Sequence, residues 1–148
     1  MIILPVTLTI AGAAAILNIW LAIRIVVLRL KAKTLIGDGG DPLLAARMRA
    51  QLNFIEYTPI VLILIAVIEL ASGTQRWLWV VGIIYILGRV LHAFGLDKQT
   101  ANPLRAVGIV STWISLLVLA GYALTIPYVT REGTITTVTS DNLGREPQ

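Results

Sequence analysis

Four long apolar stretches separated by short polar breaks divide the chain. A helix rises 1.5 Å per residue, so about 20 apolar residues cross the hydrocarbon core of a bilayer. The pattern predicts helices over Pro5–Leu30, Pro42–Ala71, Trp77–Leu96 and Pro103–Ile126. Asp41-Pro42 and Asn102-Pro103 each set a capping side chain before a proline at the first helical position, where the missing N–H costs nothing. Pro5 starts the first helix with no capping residue before it, and Pro127 reads as the stop of the fourth. An open sheet cannot satisfy its backbone in lipid, so the expected fold is an all-α membrane protein, a four-transmembrane-helix bundle. Residues 1–129 are expected to form the membrane domain and 130–148 a polar C-terminal tail, to which no function is assigned.

Composition narrows the chemistry. Of 148 residues, 57% are apolar and 14% charged, which leaves no room for a separate soluble domain. The chain has no cysteine, so disulfides, a protein thiol nucleophile and cysteine metal sites are excluded. A single histidine rules out a histidine-rich metal site, and no metal is expected. The net charge of +4 does not point to nucleic acid, because the cations gather in two loops. Arg24, Arg29, Lys31, Lys33, Arg47 and Arg49 flank the first loop, Lys98 and Arg105 the third, and Arg76 alone the second. The positive-inside rule then puts loops one and three in the cytosol and both termini outside, with Trp77 and Trp79 near the opposite interface. The first segment lacks the basic start of a signal peptide and reads as a retained membrane helix.

Helix 2, at 1.5 Å per residue, is about 45 Å long against a hydrocarbon core of about 30 Å, so its first turns protrude into the cytosol. Arg49 then lies near the interface with Asn53 and Glu56 a turn or two deeper, and the three, spaced i, i+4, i+7, fall within an arc of roughly 60°. Ionisable groups at the membrane edge are costly and mark a functional site. Glu56 needs a partner at that depth, and helix 3 offers Arg89 and His92 on one face. A Glu56–Arg89 ion pair between helices 2 and 3 is expected, either sharing a ligand or only fixing helix register. His92 suits a structural hydrogen bond or general acid–base work, while Gln51 and Tyr57 flank the stripe as hydrogen-bond donors. Arg29 and Arg105 either snorkel as topology cations or converge with helix 2 on an anion. Arg24 faces lipid, snorkels or pairs across a subunit boundary, and Glu69 is placed at the outer interface. Ser111, Thr112 and Ser115 are expected to hydrogen-bond between helices. The stretch from Thr34 to Asp41 reads as a flexible loop. Four helices leave little interior for these polar groups, so oligomerisation is expected.

Two runs carry a resemblance. Arg49-Ala-Gln-Leu-Asn53-Phe-Ile-Glu56-Tyr57-Thr-Pro59 and Gly88-Arg89-Val-Leu-His92-Ala-Phe-Gly95 resemble the bacterial branch of the membrane-associated proteins in eicosanoid and glutathione metabolism, over about residues 5–126. That resemblance implies a homotrimer in a bacterial inner membrane, with glutathione as co-substrate between neighbouring subunits near the cytosolic face. It implies that Arg29, Arg49, Gln51, Asn53, Glu56, Tyr57 and His92 bind glutathione and that Arg105 lies near its thiol. Leu52, Leu96 and Ile109 depart from the pattern, standing where some members have an arginine and two tyrosines, which argues against eicosanoid synthesis. A thiol with pKa near 8.5 is mostly protonated at neutral pH, and a fixed guanidinium favours its thiolate. The function implied is a glutathione transferase or peroxidase acting on a lipophilic electrophile or hydroperoxide. Two alternatives remain open at this stage: a non-catalytic lipid- or glutathione-binding scaffold, and a small transporter with Glu56 as its coupling carboxylate.

Overall fold

In a computed structural model the backbone is described over residues 3–143 and side chains through Val129. Four helices follow one another: α1 (Pro5–Ala32), α2 (Pro42–Ser72), α3 (Arg76–Asp97) and α4 (Pro103–Leu143). All four contain segments long and apolar enough to cross a membrane. The protein is therefore an all-α, four-span membrane bundle. α2 and α3 each touch every other helix, whereas α1 and α4 stand apart.

The predicted starts hold to within a residue, and local capping explains two of them. Asp41 accepts from the N–H groups of Leu43 (2.8 Å) and Leu44 (3.3 Å) at the head of α2, and Asn102 accepts from Arg105 N–H (3.1 Å) at the head of α4. α1 is capped from afar. Glu69, near the end of α2, accepts from the N–H groups of Val6 (3.0 Å) and Thr7 (2.8 Å) and from the hydroxyls of Thr7 and Thr74. Its carboxylate thus sits on the positive end of the α1 dipole. Glu69 is 1% exposed, so near the C-terminal end of α2 it is enclosed between helices.

One boundary differs. Pro127 does not stop α4, whose helical backbone continues to Leu143. A proline inside a helix removes one i to i−4 hydrogen bond and bends the rod without having to end it. Pro59 is likewise accommodated inside α2. The side chains of the expected polar tail, 130–148, lie outside the described residues.

Two apolar clusters stack along the bundle. Val6, Ile10, Val61, Ile65, Ile68, Leu78, Tyr85 and Leu119 fill the end near the start of α1 and the α2–α3 turn. Ala14, Leu17, Leu21, Ala50, Phe54, Ala93 and Leu96 fill the half nearer the α1–α2 loop. Large apolar side chains such as Ile16, Ile19, Leu87 and Leu117 are exposed, as expected of a surface whose solvent is lipid. α3 and α4 meet most closely through glycines. A Cβ on Gly88 would lie 2.0 Å from Ser111 Oγ, and one on Gly108 would lie 2.6 Å from His92 Cβ. Small residues at such a seam let helix backbones approach where no hydrophobic effect drives them together. That seam fixes where the head of α4 sits.

Candidate functional site

The polar residues gather at the end of the bundle that carries the α1–α2 and α3–α4 loops. Arg49 stands at its centre, because it borders two cavities on opposite flanks of α2. One, of about 420 Å³, is lined by Ile25, Arg29, Asp38, Met48, Arg49 and Gln51 among others. The second, of about 430 Å³, runs between the heads of α2 and α4 and the tail of α3, and its walls include Arg49, Leu96, Gln99, Thr100 and Arg105. Both volumes lie within the roughly 300–1,000 Å³ range of small-molecule sites.

Arg29 and Arg105 therefore belong to different cavities within one chain, and only Arg49 and Ala45 border both. Arg29 donates to Met48 Sδ (3.7 Å), while its Nε is buried without a partner. A buried guanidinium N–H left unmade is costly, so this arginine is well suited to an anionic ligand. Gln51 is half-buried beside it. Asp38 was not anticipated as a lining residue. The glycine-rich loop that carries it is folded, with Gly37, Gly39 and Gly40 all at positive φ and Gly40 N–H bonded to Asp38 Oδ1 (3.1 Å). The Asp-Gly-Gly-Asp run signalled a turn, but nothing in it told which wall the turn would join.

The expected Glu56–Arg89 ion pair is not formed. Arg89, 2% exposed, donates instead to Asn53 Oδ1 (2.6 Å) and Thr112 Oγ1 (3.1 Å), tying α2, α3 and α4 together. Asn53 is half-buried, whereas Glu56 is exposed and makes no hydrogen bond or ion pair among the described residues. An amide and a hydroxyl meet the guanidinium without the cost of desolvating a second charge, which explains the preference. Of the stripe, Arg49 and Glu56 remain free for a ligand while Asn53 turns inward. Tyr57 OH accepts from Trp113 Nε1 (3.5 Å).

His92 is buried, 6% exposed, with Nδ1 3.3 Å from the carbonyl of Arg105. Arg105 itself is exposed at the cavity rim. Leu96 supplies an apolar wall beside it. Of the expected helix–helix bonds, Thr112 makes one through Arg89, whereas Ser111 bonds Gly108 O of its own helix (3.0 Å).

The three alternatives left open for Arg24 are replaced by a fourth. It pairs within the chain with Asp97 at the end of α3, and its guanidinium lies 4.5 Å from the ring centre of Trp20. Arg47 reaches the same carboxylate (3.6 Å) and donates to Arg24 O (3.1 Å). This ionic knot binds α1, α2 and α3 beside the cavities. It engages Arg24 and Arg47, and the arginines that line the two cavities are Arg29, Arg49 and Arg105.

Fold and site together define a four-span membrane protein whose arginines rim two cavities at one end of the bundle. The MAPEG family model matches residues 7–125, and the chain belongs to that family. It is 30% identical over 110 residues to "Inner membrane protein YecN" of Escherichia coli strain K12, an alignment covering 74% of this chain and 82% of that protein. The protein of the same name from Escherichia coli O6:H1 matches to the same extent. These relatives support placement in an inner membrane.

Proposed function

We propose that the protein is a membrane-embedded glutathione transferase with peroxidase capacity, working as a homotrimer with its cavities on the cytosolic side. The observation that carries this reading is the pair of arginines, Arg49 and Arg105, bordering one cavity of about 430 Å³ at the end of the bundle that carries the α1–α2 and α3–α4 loops. Glutathione carries two carboxylates, an ammonium and a thiol. Arg29 and Arg49 suit the carboxylates, and the exposed Glu56 suits the ammonium. Gln51 and Tyr57 add neutral hydrogen bonds. Because Arg29 and Arg105 flank α2 on opposite sides, one glutathione meets a full set only if a neighbouring subunit brings its own α1 or α4 alongside. This incompleteness supports assembly with a neighbouring copy, as in the proposed trimer.

Arg105 would hold the sulfur as thiolate. The thiolate attacks an electrophilic carbon, a carbon–sulfur bond forms, and the leaving group departs with its electron pair. With a hydroperoxide, sulfur takes the terminal oxygen and the O–O bond breaks. The lipid alcoholate is protonated, and a second glutathione converts the sulfenic acid to disulfide and water. Lipophilic acceptors reach the site laterally from the bilayer.

The apolar Leu96 wall beside Arg105 favours a second reading, a glutathione- or lipid-binding member without turnover. Calorimetric titration of the detergent-purified protein with glutathione, followed by a thiolate difference spectrum and assay against electrophiles and lipid hydroperoxides, separates the two. Binding with a thiolate band and turnover supports the enzyme. Tight binding without either supports the second reading, and absence of glutathione binding removes the enzyme and leaves the second reading only in its lipid-binding form.

A further inference from the structure

Arg105 presents a guanidinium that forms no hydrogen bond or ion pair among the described residues, so the contacts that locate this residue are those to its backbone. Both polar groups of that backbone are tied to α3. The N–H donates to Asn102 Oδ1 (3.1 Å), and Asn102 Nδ2 donates in turn to Gly95 O (2.7 Å). The carbonyl faces His92 Nδ1 at 3.3 Å. A carbonyl can only accept, so Nδ1 carries the proton and donates.

Sterics reinforce the same contact. A Cβ on Gly95 would come within 2.4 Å of Arg105 N, so α3 presses directly on the first turn of α4. Gly108, one turn further along, accommodates His92 itself. His92 is thus enclosed between two helices, with its ring directed at a main-chain atom of the arginine at the cavity rim.

We propose that His92 is the positioning residue for Arg105: it anchors the head of α4 to α3 and so sets where the guanidinium stands, without itself touching glutathione. This rests on the reading that Arg105 stabilises a bound thiolate. Misplacing a charge by about 1 Å can cost two orders of magnitude in rate, so a backbone anchor has catalytic consequence.

The test compares the full-length detergent-solubilised protein with His92→Leu, His92→Asn and Gly95→Ala. Amide hydrogen exchange without ligand is read first. His92→Leu should speed exchange in residues 105–109 by about tenfold, the scale of one lost hydrogen bond, and leave α1 and α2 unchanged. Under saturating glutathione, the same variant should lose most of the thiolate absorbance at neutral pH, with glutathione affinity held within about twofold, since binding contacts other than the thiolate site persist. His92→Asn, whose amide nitrogen can take the place of Nδ1, should restore both. Gly95→Ala, which displaces Arg105 without altering His92, should reproduce the split between thiolate and affinity, and it decides the matter if His92→Leu fails to fold. Wild-type exchange at the head of α4 in His92→Leu overturns the proposal. So does a loss of glutathione affinity with protection intact, the signature of a ligand contact. If the wild-type protein forms no thiolate, the glutathione reading falls, while amide exchange still decides whether His92 anchors Arg105.

Discussion

Arg89 and Arg105 share a side chain and differ in everything around it. Arg89 is enclosed and meets Asn53 and Thr112, so its work is to join helices. Replacing it with leucine leaves Asn53 Oδ1 without its donor, while the Thr112 hydroxyl keeps its bond to Gly108 O (2.9 Å), and should lower stability by about 1–3 kcal/mol, measured by unfolding in detergent. An unchanged unfolding midpoint would show that the bonds to Asn53 and Thr112 contribute nothing. Arg105, exposed at a cavity rim, should behave in the opposite way. Arg105→Ala is expected to keep the oligomer and the midpoint but remove the thiolate band and slow turnover by about 10²–10³, the range for one electrostatic donor. A thiolate band that survives the substitution removes Arg105 from the mechanism. Their roles were only partly legible in the sequence. Arg49, Asn53 and Glu56 all lie in the first half of α2, as the sequence placed them, but whether Arg89 took a carboxylate or an amide depended on side-chain rotation that no spacing encodes.

At the scale of elements, the helix starts show which information is local. Asp41 and Asn102 cap the helices they precede, and adjacency in the chain made both readable. α1 has no such neighbour, and its cap arrives from Glu69, 63 residues away in sequence from Val6. Glu69→Ala should therefore lower the melting temperature through the loss of about 1–2 kcal/mol of capping and dipole stabilisation. Glu56→Ala, at an exposed position with no hydrogen bond or ion pair among the described residues, should shift melting little and weaken glutathione binding instead. Equal melting of the two variants would refute the long-range cap. Pro127 carries the complementary lesson, since a residue that disfavours a helix locally is overridden when the flanking turns continue.

The whole molecule adds orientation and assembly. The excess of cations around the α1–α2 and α3–α4 loops predicts that both face the cytosol. A chain without cysteine makes the test direct: in intact cells, Arg76→Cys should react with a membrane-impermeant maleimide and Lys31→Cys should react only after permeabilisation. The reverse pattern would invert the topology and move the cavities away from cytosolic glutathione. Native mass spectrometry in mild detergent should show three copies, and a monomer that still forms the thiolate would dismiss the need for a neighbour's arginine.

Hydropathy, proline punctuation and loop charge were enough to determine the number of spans, where each begins and the end of the bundle that holds the polar residues, because lipid leaves a helix few alternatives. Only the tertiary structure decided the pairings. Asp97 neutralises Arg24, Asn53 takes Arg89, Glu69 caps α1 and His92 meets the carbonyl of Arg105. Each of those contacts joins two helices, and the rotation of one helix against another is set by packing, which a one-dimensional pattern of apolar and polar positions does not contain.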